Sequence, residues 1–286
     1  MTHKQSKILK IVLILLAAVV LILGGIGIWL YNGKLTPAKI SIFRSMPYPI
    51  AWVNGSPLYM QDYISRVNIS EKLNQNSPQN SSAKIFSEMV VEEETRQLAG
   101  KYGISINSKD INEEYSLRSA STDLEGKATF NELLEGFGLS DSQYKNYLLK
   151  PELLRNGLMV WFNSQESLNA QAYNSAKSFL QKINNGENMA TLAENFTQDS
   201  VGKSTQGDLG FVDPVSLLPE LREPVSNLNE GEVKIIPSRI GLHIIKKEGQ
   251  NGNLVHLRQI FVATSGFDQW FSNQTKSYKI IKLINL

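Results

Sequence analysis

The segment "GLHIIKKEGQNGNLVHLRQIFVAT", residues 241–264, decides the fold of the C-terminal half of this chain. Two runs rich in strand-forming residues flank a glycine-containing turn, and this pattern predicts a β-hairpin. The preceding run "GEVKIIPSRI", residues 231–240, reads as a further strand that reaches the hairpin through a turn. Because side chains alternate between the two faces of a strand, His256 and Gln259 are expected on opposite faces.

Composition excludes several classes of function. The 286 residues are 42% hydrophobic, which is enough for a sizeable core. With 29 basic and 27 acidic residues the net charge is only +2, too weak a field to favour nucleic acid as a partner. The absence of cysteine excludes disulfides, thiolate zinc sites and cysteine nucleophiles. No histidine pair has metal-ligand spacing, so we expect neither a metal nor a cofactor.

The N-terminal segment "IVLILLAAVVLILGGIGIWLY", Ile11–Tyr31, is uncharged and 21 residues long. As a helix it would cross a hydrocarbon core of roughly 30 Å, and it ends in the interfacial aromatics Trp29 and Tyr31. The alternative is a cleaved signal peptide, whose apolar region would be shorter. Lysines lie on both sides, so the orientation rests on the shortness of residues 1–10. We expect a single-pass membrane anchor with the bulk of the chain outside the cytoplasm.

The remaining sequence divides by pattern into a linker, a helical region and an α+β region. Three prolines and the lack of a helical period predict an extended linker. The next region is dominated by helical patterns, and the last one by two helices, a proline-interrupted helix and β-branched strands in antiparallel order. The expected organisation is a cytoplasmic N-terminus at 1–10, a transmembrane helix at 11–31, an extended linker at 32–49, a mainly α-helical domain at 50–165 and an α+β domain with a four-stranded antiparallel sheet at 166–286.

Three motifs in a fixed order resemble those of the parvulin-type peptidyl-prolyl isomerases. They are "LAENFTQDSVGKSTQGDLGFV" from residue 192, "LLPELREPV" from residue 217 and "GEVKIIPSRIGLHIIKK" from residue 231. Parvulins carry F-(S/T)-x-D, G-D-L-G, P-x-F and G-x-H-I-I in this order. Upstream, "AWVNGSPLYMQDYI" and the helical patterns after it resemble the N-terminal domain of SurA/PrsA-type secretion chaperones.

The resemblance implies site residues. Asp199 matches the central Cys or Asp of the family, and His243 matches its second histidine. Leu217 and Leu221 match its apolar pocket. From the residues alone, each has a plainer interpretation that stays open: a strand histidine satisfied by a neighbour for His243, a turn or cap residue for Asp199, and simple core for the two leucines.

The sequence departs from the family pattern at one strand. The family's first histidine belongs to a strand before the first helix, and no such strand precedes Ala170. Its nearest counterpart is Leu257–Thr264, after the last motif strand, which suggests a circular permutation. In that register Gln259 replaces the histidine, and Leu221 replaces a pocket phenylalanine.

The resemblance implies a folding factor that acts on exported polypeptides. Rotation about a peptide bond to proline faces a barrier of about 18–20 kcal/mol, and a catalyst must bind the twisted amide better than either planar form. We therefore expect a peptidyl-prolyl cis-trans isomerase and chaperone for unfolded, proline-containing chains, with a degraded active site. The alternatives are a non-enzymatic holdase with the same architecture and a membrane-tethered scaffold that docks one fixed partner.

Overall fold

The computed structural model describes residues 21, 25–31, 36–45, 47–73, 82–123 and 129–284. The expected cytoplasmic segment 1–10 and most of the expected transmembrane helix 11–31 lie outside these residues. Residues 25–31 are helical. Within the described ranges, no helix combines the length and the apolar character that are needed to cross a membrane.

Helices and strands alternate irregularly along the chain. The helices are α1 Pro37–Ser45, α2 Met60–Leu73, α3 Ser82–Lys101, α4 Ser108–Asp123, α5 Phe130–Gly136, α6 Asp141–Tyr144, α7 Lys150–Ser164, α8 Ala170–Asn184, α9 Met189–Phe196, α10 Ser200–Ser204, α11 Pro219–Ser226 and α12 Phe267–Thr275. The strands are β1 Pro49–Val53, β2 Ser56–Tyr59, β3 Asp208–Val212, β4 Val233–Ser238, β5 Gly241–Asn251, β6 Leu254–Ala263 and β7 Ile280–Lys282.

The chain folds into two compact units and passes between them more than once. Unit 1 comprises Met1–Glu94, Thr122–Asp141 and Ser277–Leu286, and unit 2 comprises Thr95–Ser121 and Ser142–Lys276. The boundary at residue 165 stays a prediction, but α4 and α7, expected in the helical domain, belong to unit 2. The reason is packing: Leu158 and Phe162 of α7 are buried in one cluster with Phe267 and Phe271 of α12.

Unit 1 contains a helix where we expected an extended linker. Within 32–49 the structure forms α1, with Pro37 as its first residue, where the missing N–H of proline costs no helical hydrogen bond. Phe43 is fully buried and Ile40 packs against the same cluster, so burial of one apolar face stabilises the helix. The linker expectation is therefore wrong over Pro37–Ser45.

The sheet of unit 1 has the order β2-β1-β7 and is antiparallel. Asn54 and Gly55 both have positive φ, 47° and 89°, as a two-residue hairpin turn requires. Strand β7 returns from near the C-terminus and pairs Trp52 with Ile281. The core of unit 1 thus depends on residues from both ends of the described chain.

A π-helical segment joins α6 to α7. Helical structure runs from Asp141 through Lys145–Leu149 to Ser164. The Lys150 N–H bonds the Lys145 carbonyl, five residues back. Pro151, which has no N–H to donate, follows directly. The wider π-helical turn before it lets the helix continue without a break.

Unit 2 is built on a four-stranded antiparallel sheet with the order β3-β6-β5-β4, which confirms the predicted sheet. One face carries Leu242, Ile244, Ile260 and Val262, packed against α8 and α9. The other face carries Ile245 and Leu257, packed against Leu221 and Val225 of α11. This alternation fixes the register, because a slip of one residue would exchange the two faces.

A glycine contact locks β6 to the loop that follows α10. Gly207 has φ +76°, and its carbonyl accepts the Gln259 N–H at 2.8 Å. A Cβ at this position would lie 2.3 Å from the Gln259 carbonyl oxygen and 2.8 Å from the Ala193 Cβ. Gly210, three residues later, has φ +66° but nothing within 4 Å of its would-be Cβ. A side chain at position 207 is therefore disfavoured both by the positive φ and by contact with β6. At position 210 it is disfavoured by the positive φ alone.

We expect Gly207→Ala to destabilise the protein by about 2–4 kcal/mol and Gly210→Ala by only about 1 kcal/mol. Both variants are destabilised by a side chain at positive φ, but only Gly207→Ala also forces a Cβ against the backbone of β6. Urea unfolding of each full-length variant, followed by far-UV circular dichroism, measures the difference. Equal losses for the two would show that the close approach at Gly207 does not matter.

Candidate functional site

A buried histidine forms the centre of the candidate site. His243 on β5 is 3% exposed, and its Nδ1 lies 2.8 Å from Gln259 Oε1. Its Nε2 lies 2.8 Å from Ser238 Oγ. Because an amide oxygen can only accept, Nδ1 carries the proton, and Nε2 accepts from the serine hydroxyl. His243 is thereby held as one tautomer in one orientation.

Sheet register brings these three residues together. His243 is opposite Phe261 and Gln259 is opposite Ile245, so His243 and Gln259 are diagonal neighbours on one face. Ser238 is opposite Gly241 at the end of the β4–β5 pair. The hairpin thus places Gln259 beside His243, as the permuted register predicts, while the catalytic role of the pair stays a prediction.

The surroundings of His243 favour a neutral ring. Burial lowers its pKa below the ordinary value, opposed by the hydrogen bond to Gln259 and by the negative charge of Glu220. The ring of Phe261 lies 5.1 Å from the imidazole, centroid to centroid. At neutral pH the site therefore presents an uncharged imidazole beside an aromatic ring.

Asp199 lies in the loop that runs along β6, and it caps α10. Its Oδ1 accepts the Val201 N–H at 3.1 Å, which is the cap interpretation that the sequence left open. Two residues earlier, Thr197 accepts the Phe261 N–H at 2.9 Å, so this loop is attached to β6 opposite His243. Among the described residues, Asp199 makes no hydrogen bond to His243 or Gln259.

The two leucines belong to the core on the same sheet face as His243. Leu221 is 3% exposed and packs in one cluster with Ile245, two residues along β5 from the histidine. Leu217 is only partly buried against that cluster. Leu221 therefore fits the interpretation as simple core, whereas Leu217 retains exposed surface that a ligand could contact.

Sequence reasoning missed Ser238 and its support. Ser238 is fully buried, and its carbonyl accepts from Asn163 Nδ2 at 2.8 Å. Asn163, on α7, is 2% exposed and also accepts the Thr264 hydroxyl at 2.8 Å. The available signal was a polar residue five positions before His243, across a turn between two apolar strands, where a buried hydroxyl must find a partner.

His256 lies on the opposite face from Gln259, as strand alternation predicts. Its Nε2 is 2.8 Å from Asp208 Oδ1, and Asp208, Glu248 and His256 place possible metal-ligand atoms within 4.8 Å of one another. The Arg258 guanidinium donates to Glu248 at 2.9 Å and to Asp208 at 3.3 Å. A cation already compensates both carboxylates, so the group is an ion-pair network that needs no metal.

Comparison with known proteins identifies the region that contains this site. The family profile described as "Rotamase: PPIC-type PPIASE domain" matches residues 158–249. That range includes His243 and Ser238 and ends before β6, which carries Gln259. The strand that supplies the partner of His243 therefore lies outside the matched range.

Relatives include a chaperone SurA from Pseudomonas syringae pv. tomato, 38% identical over 76 residues, which are 26% of this chain and 18% of that protein. A foldase protein PrsA from Caldanaerobacter subterraneus is 27% identical over 171 residues, 58% of this chain and 56% of that protein. The crystal structure of PrsA from Bacillus anthracis aligns with 19% identity and a TM-score of 0.23, covering 67% of this chain and 86% of that one.

The chain thus spans less than two thirds of these SurA and PrsA relatives. Within that limit, the matched profile and the two relatives agree on one kind of protein. The chain is similar to proteins of the SurA/PrsA type, and its residues 158–249 match the PPIC-type peptidyl-prolyl isomerase domain.

Proposed function

We propose that this chain is a membrane-anchored, extracytoplasmic folding factor that isomerises peptide bonds to proline in unfolded or newly exported polypeptides. The observation that carries the proposal is the hydrogen-bonded set Ser238–His243–Gln259 on one sheet face of a domain with the PPIC-type profile. The set is assembled by the fold rather than by adjacency in sequence. It provides oriented polar groups next to apolar surface, as a binding site for a twisted amide requires.

Glutamine can replace histidine at position 259 without dismantling the set. Its Oε1 accepts from His243 Nδ1, so the tautomer and orientation of the imidazole are kept. Its Nε2 makes no hydrogen bond to any residue that the structure describes. Those two N–H donors are therefore free to bind the carbonyl oxygen of a rotating prolyl bond.

The rotating bond also needs apolar surface for the proline ring. Phe261 beside His243 and the partly buried Leu217 provide it in this proposal. No covalent bond is made or broken, so the site needs no nucleophile, metal or cofactor. What lowers the barrier is tighter binding of the twisted amide than of the planar forms.

A second candidate function is a holdase that binds unfolded chains without catalysis. Unit 1 favours it, because Trp52 and Ile281 pair across β1 and β7 and are 37% and 45% exposed. Ile280 and Leu283 add exposed apolar surface, 46% and 37%. Apolar surface of this kind suits extended, unfolded segments. The scaffold alternative has no comparable observation in its favour.

Membrane attachment is part of the proposal and is supported by sequence alone. The uncharged run Ile11–Tyr31 has the length of a span and ends in interfacial aromatics. We propose that it stays uncleaved as a single-pass anchor with residues 1–10 in the cytoplasm. Carbonate extraction of membranes from expressing cells tests this, since an anchored chain stays in the pellet and a processed one is released.

We expect the full-length chain in detergent to accelerate the proline-limited refolding phase of a model substrate. His243→Ala and Gln259→Ala should each reduce the acceleration about tenfold, the size expected for losing a hydrogen-bonded group of about 1–2 kcal/mol. Gln259→His should retain activity, because histidine can also accept from His243. His256→Ala, on the opposite face, is the matched control.

Two outcomes separate the candidates. Absence of acceleration over the uncatalysed phase rejects isomerase activity. If aggregation of the unfolded substrate is still suppressed under those conditions, and survives His243→Ala, the holdase function replaces it. Equal loss of activity in His256→Ala and His243→Ala would show that the site is not where we place it.

The lowered pKa of His243 predicts a stability that falls with acidification. In the unfolded chain the imidazole takes up a proton near its ordinary value of 6.5, whereas the folded protein resists protonation to lower pH. As pH falls below about 6.5, the unfolded state therefore binds more protons, and the free energy of unfolding decreases by at most about 1.4 kcal/mol per pH unit.

Urea unfolding between pH 7.5 and 5.5 measures this slope. His243→Gln removes the titrating group and should flatten the slope relative to the unmodified chain, while His256→Gln should leave the His243 contribution in place. Identical slopes for the unmodified and His243→Gln proteins would contradict a buried neutral histidine.

A further inference from the structure

Unit 2 contains a cavity that the isomerase site does not use. A cavity of about 460 Å³ lies between α4, α7 and α11, within the range of roughly 300–1,000 Å³ that is usual for ligand pockets. Its apolar walls are formed by Ile106, Leu153, Val160 and Pro219. His243, Gln259 and Asp199 do not line it.

The charges around this cavity are mostly negative. Its lining includes two guanidinium groups, and both are already engaged: Arg222 with Glu114 at 3.0 Å and Arg239 with Glu220 at 3.5 Å. Glu114 is itself 8% exposed and is also bound by Arg118 at 3.0 Å. The lining cations are therefore not available to bind an anion.

Three further carboxylates line the cavity, those of Asp110, Glu113 and Glu223. Within the described residues none of them has an ion-pair partner, and the Glu113 and Glu223 side chains are solvent-exposed. A cavity with apolar walls and uncompensated carboxylates at its rim is complementary to a positively charged group carried on an apolar stem.

Helix α11 and the turn after β4 connect this cavity to the isomerase site. Glu220 lines the cavity, accepts the Arg239 N–H at 2.8 Å and acts electrostatically on His243. Leu221, the next residue, is buried on the sheet face that carries His243. Arg239 also lines the cavity and directly follows Ser238, the hydroxyl partner of His243. An extended peptide at one site would therefore have its neighbouring residues near the other.

We propose that this cavity is a specificity subsite for client polypeptide, which takes a lysine or arginine side chain flanked by apolar residues. The inference rests on the proposed function for its biological setting. The charge complementarity that carries it is independent of catalysis. The subsite directs the chain to unfolded segments in which basic and apolar residues alternate, and it holds them beside the isomerase site.

The test uses short, fluorescently labelled peptides that contain no proline and share one apolar framework, with Lys, Gln or Glu at the variable positions. Binding to the full-length chain in detergent is measured by anisotropy at low and high salt. We expect the Lys peptide to bind more tightly than the Gln peptide and the Glu peptide to bind most weakly. Salt should reduce the difference, because the rim charges are exposed.

The decisive variant is Glu113→Gln/Glu223→Gln. It should weaken binding of the Lys peptide about threefold to tenfold, as expected for two exposed charge pairs, and leave the Gln peptide nearly unchanged. The matched control is Glu135→Gln/Glu230→Gln, which makes the same charge change at exposed positions outside the cavity. It should leave both peptides unaffected.

Two results would overturn the proposal. One is equal binding of the Lys and Glu peptides. The other is an equal loss of Lys-peptide affinity in the control and decisive variants, which would indicate only the overall electrostatic field of the protein. Absence of prolyl isomerase activity in the unmodified chain, together with intact, charge-selective peptide binding, would reject the proposed catalysis while leaving the subsite standing.

Discussion

The antiparallel pairing of β5 with β6 is the interaction on which unit 2 depends. These two strands occupy the centre of the sheet, and their register sets which side chains face each helical layer. Leu242 and Ile244 must face α8 and α9, so His243 must face the other way, next to Gln259. The site is therefore a consequence of how the hydrophobic core is divided between two faces. A register slip that displaced His243 would also expose the core.

Local sequence was sufficient to predict the structure where a residue pattern is compatible with only one local conformation. The strand hairpin, the Asn54–Gly55 turn and the opposite orientations of His256 and Gln259 all follow from short-range rules, and the structure contains each of them. The resemblance placed the partner of His243 on the strand after the last motif. The same reasoning could not assign a role to Asp199, because a helix cap and a site carboxylate look alike in sequence.

What the sequence could not supply depends on contacts between distant segments. Helix α1 forms because Phe43 is buried in a core built from residues that lie far along the chain, which no local period reveals. Ser238 is oriented by Asn163, 75 positions earlier, and Asn163 also binds the residue that follows β6. The grouping of α4 and α7 with unit 2 has the same origin. Each case is a tertiary contact that overrides a plausible local interpretation.

In the proposed site, glutamine occupies position 259, where the resemblance implies a histidine, and the pair with His243 still forms. A second imidazole could share or move a proton with His243, whereas the amide has fixed donors and a fixed acceptor. Here the acceptor holds His243, and the donors remain for a ligand. Rotation about a prolyl bond transfers no proton, so a fixed dipole serves as well as a titrating group if its geometry is held. That geometry is held by β5, by β6 and, through Ser238, by Asn163 on α7. In the proposed site, binding of a twisted amide therefore depends on the rigidity of this support and not on the identity of residue 259 alone.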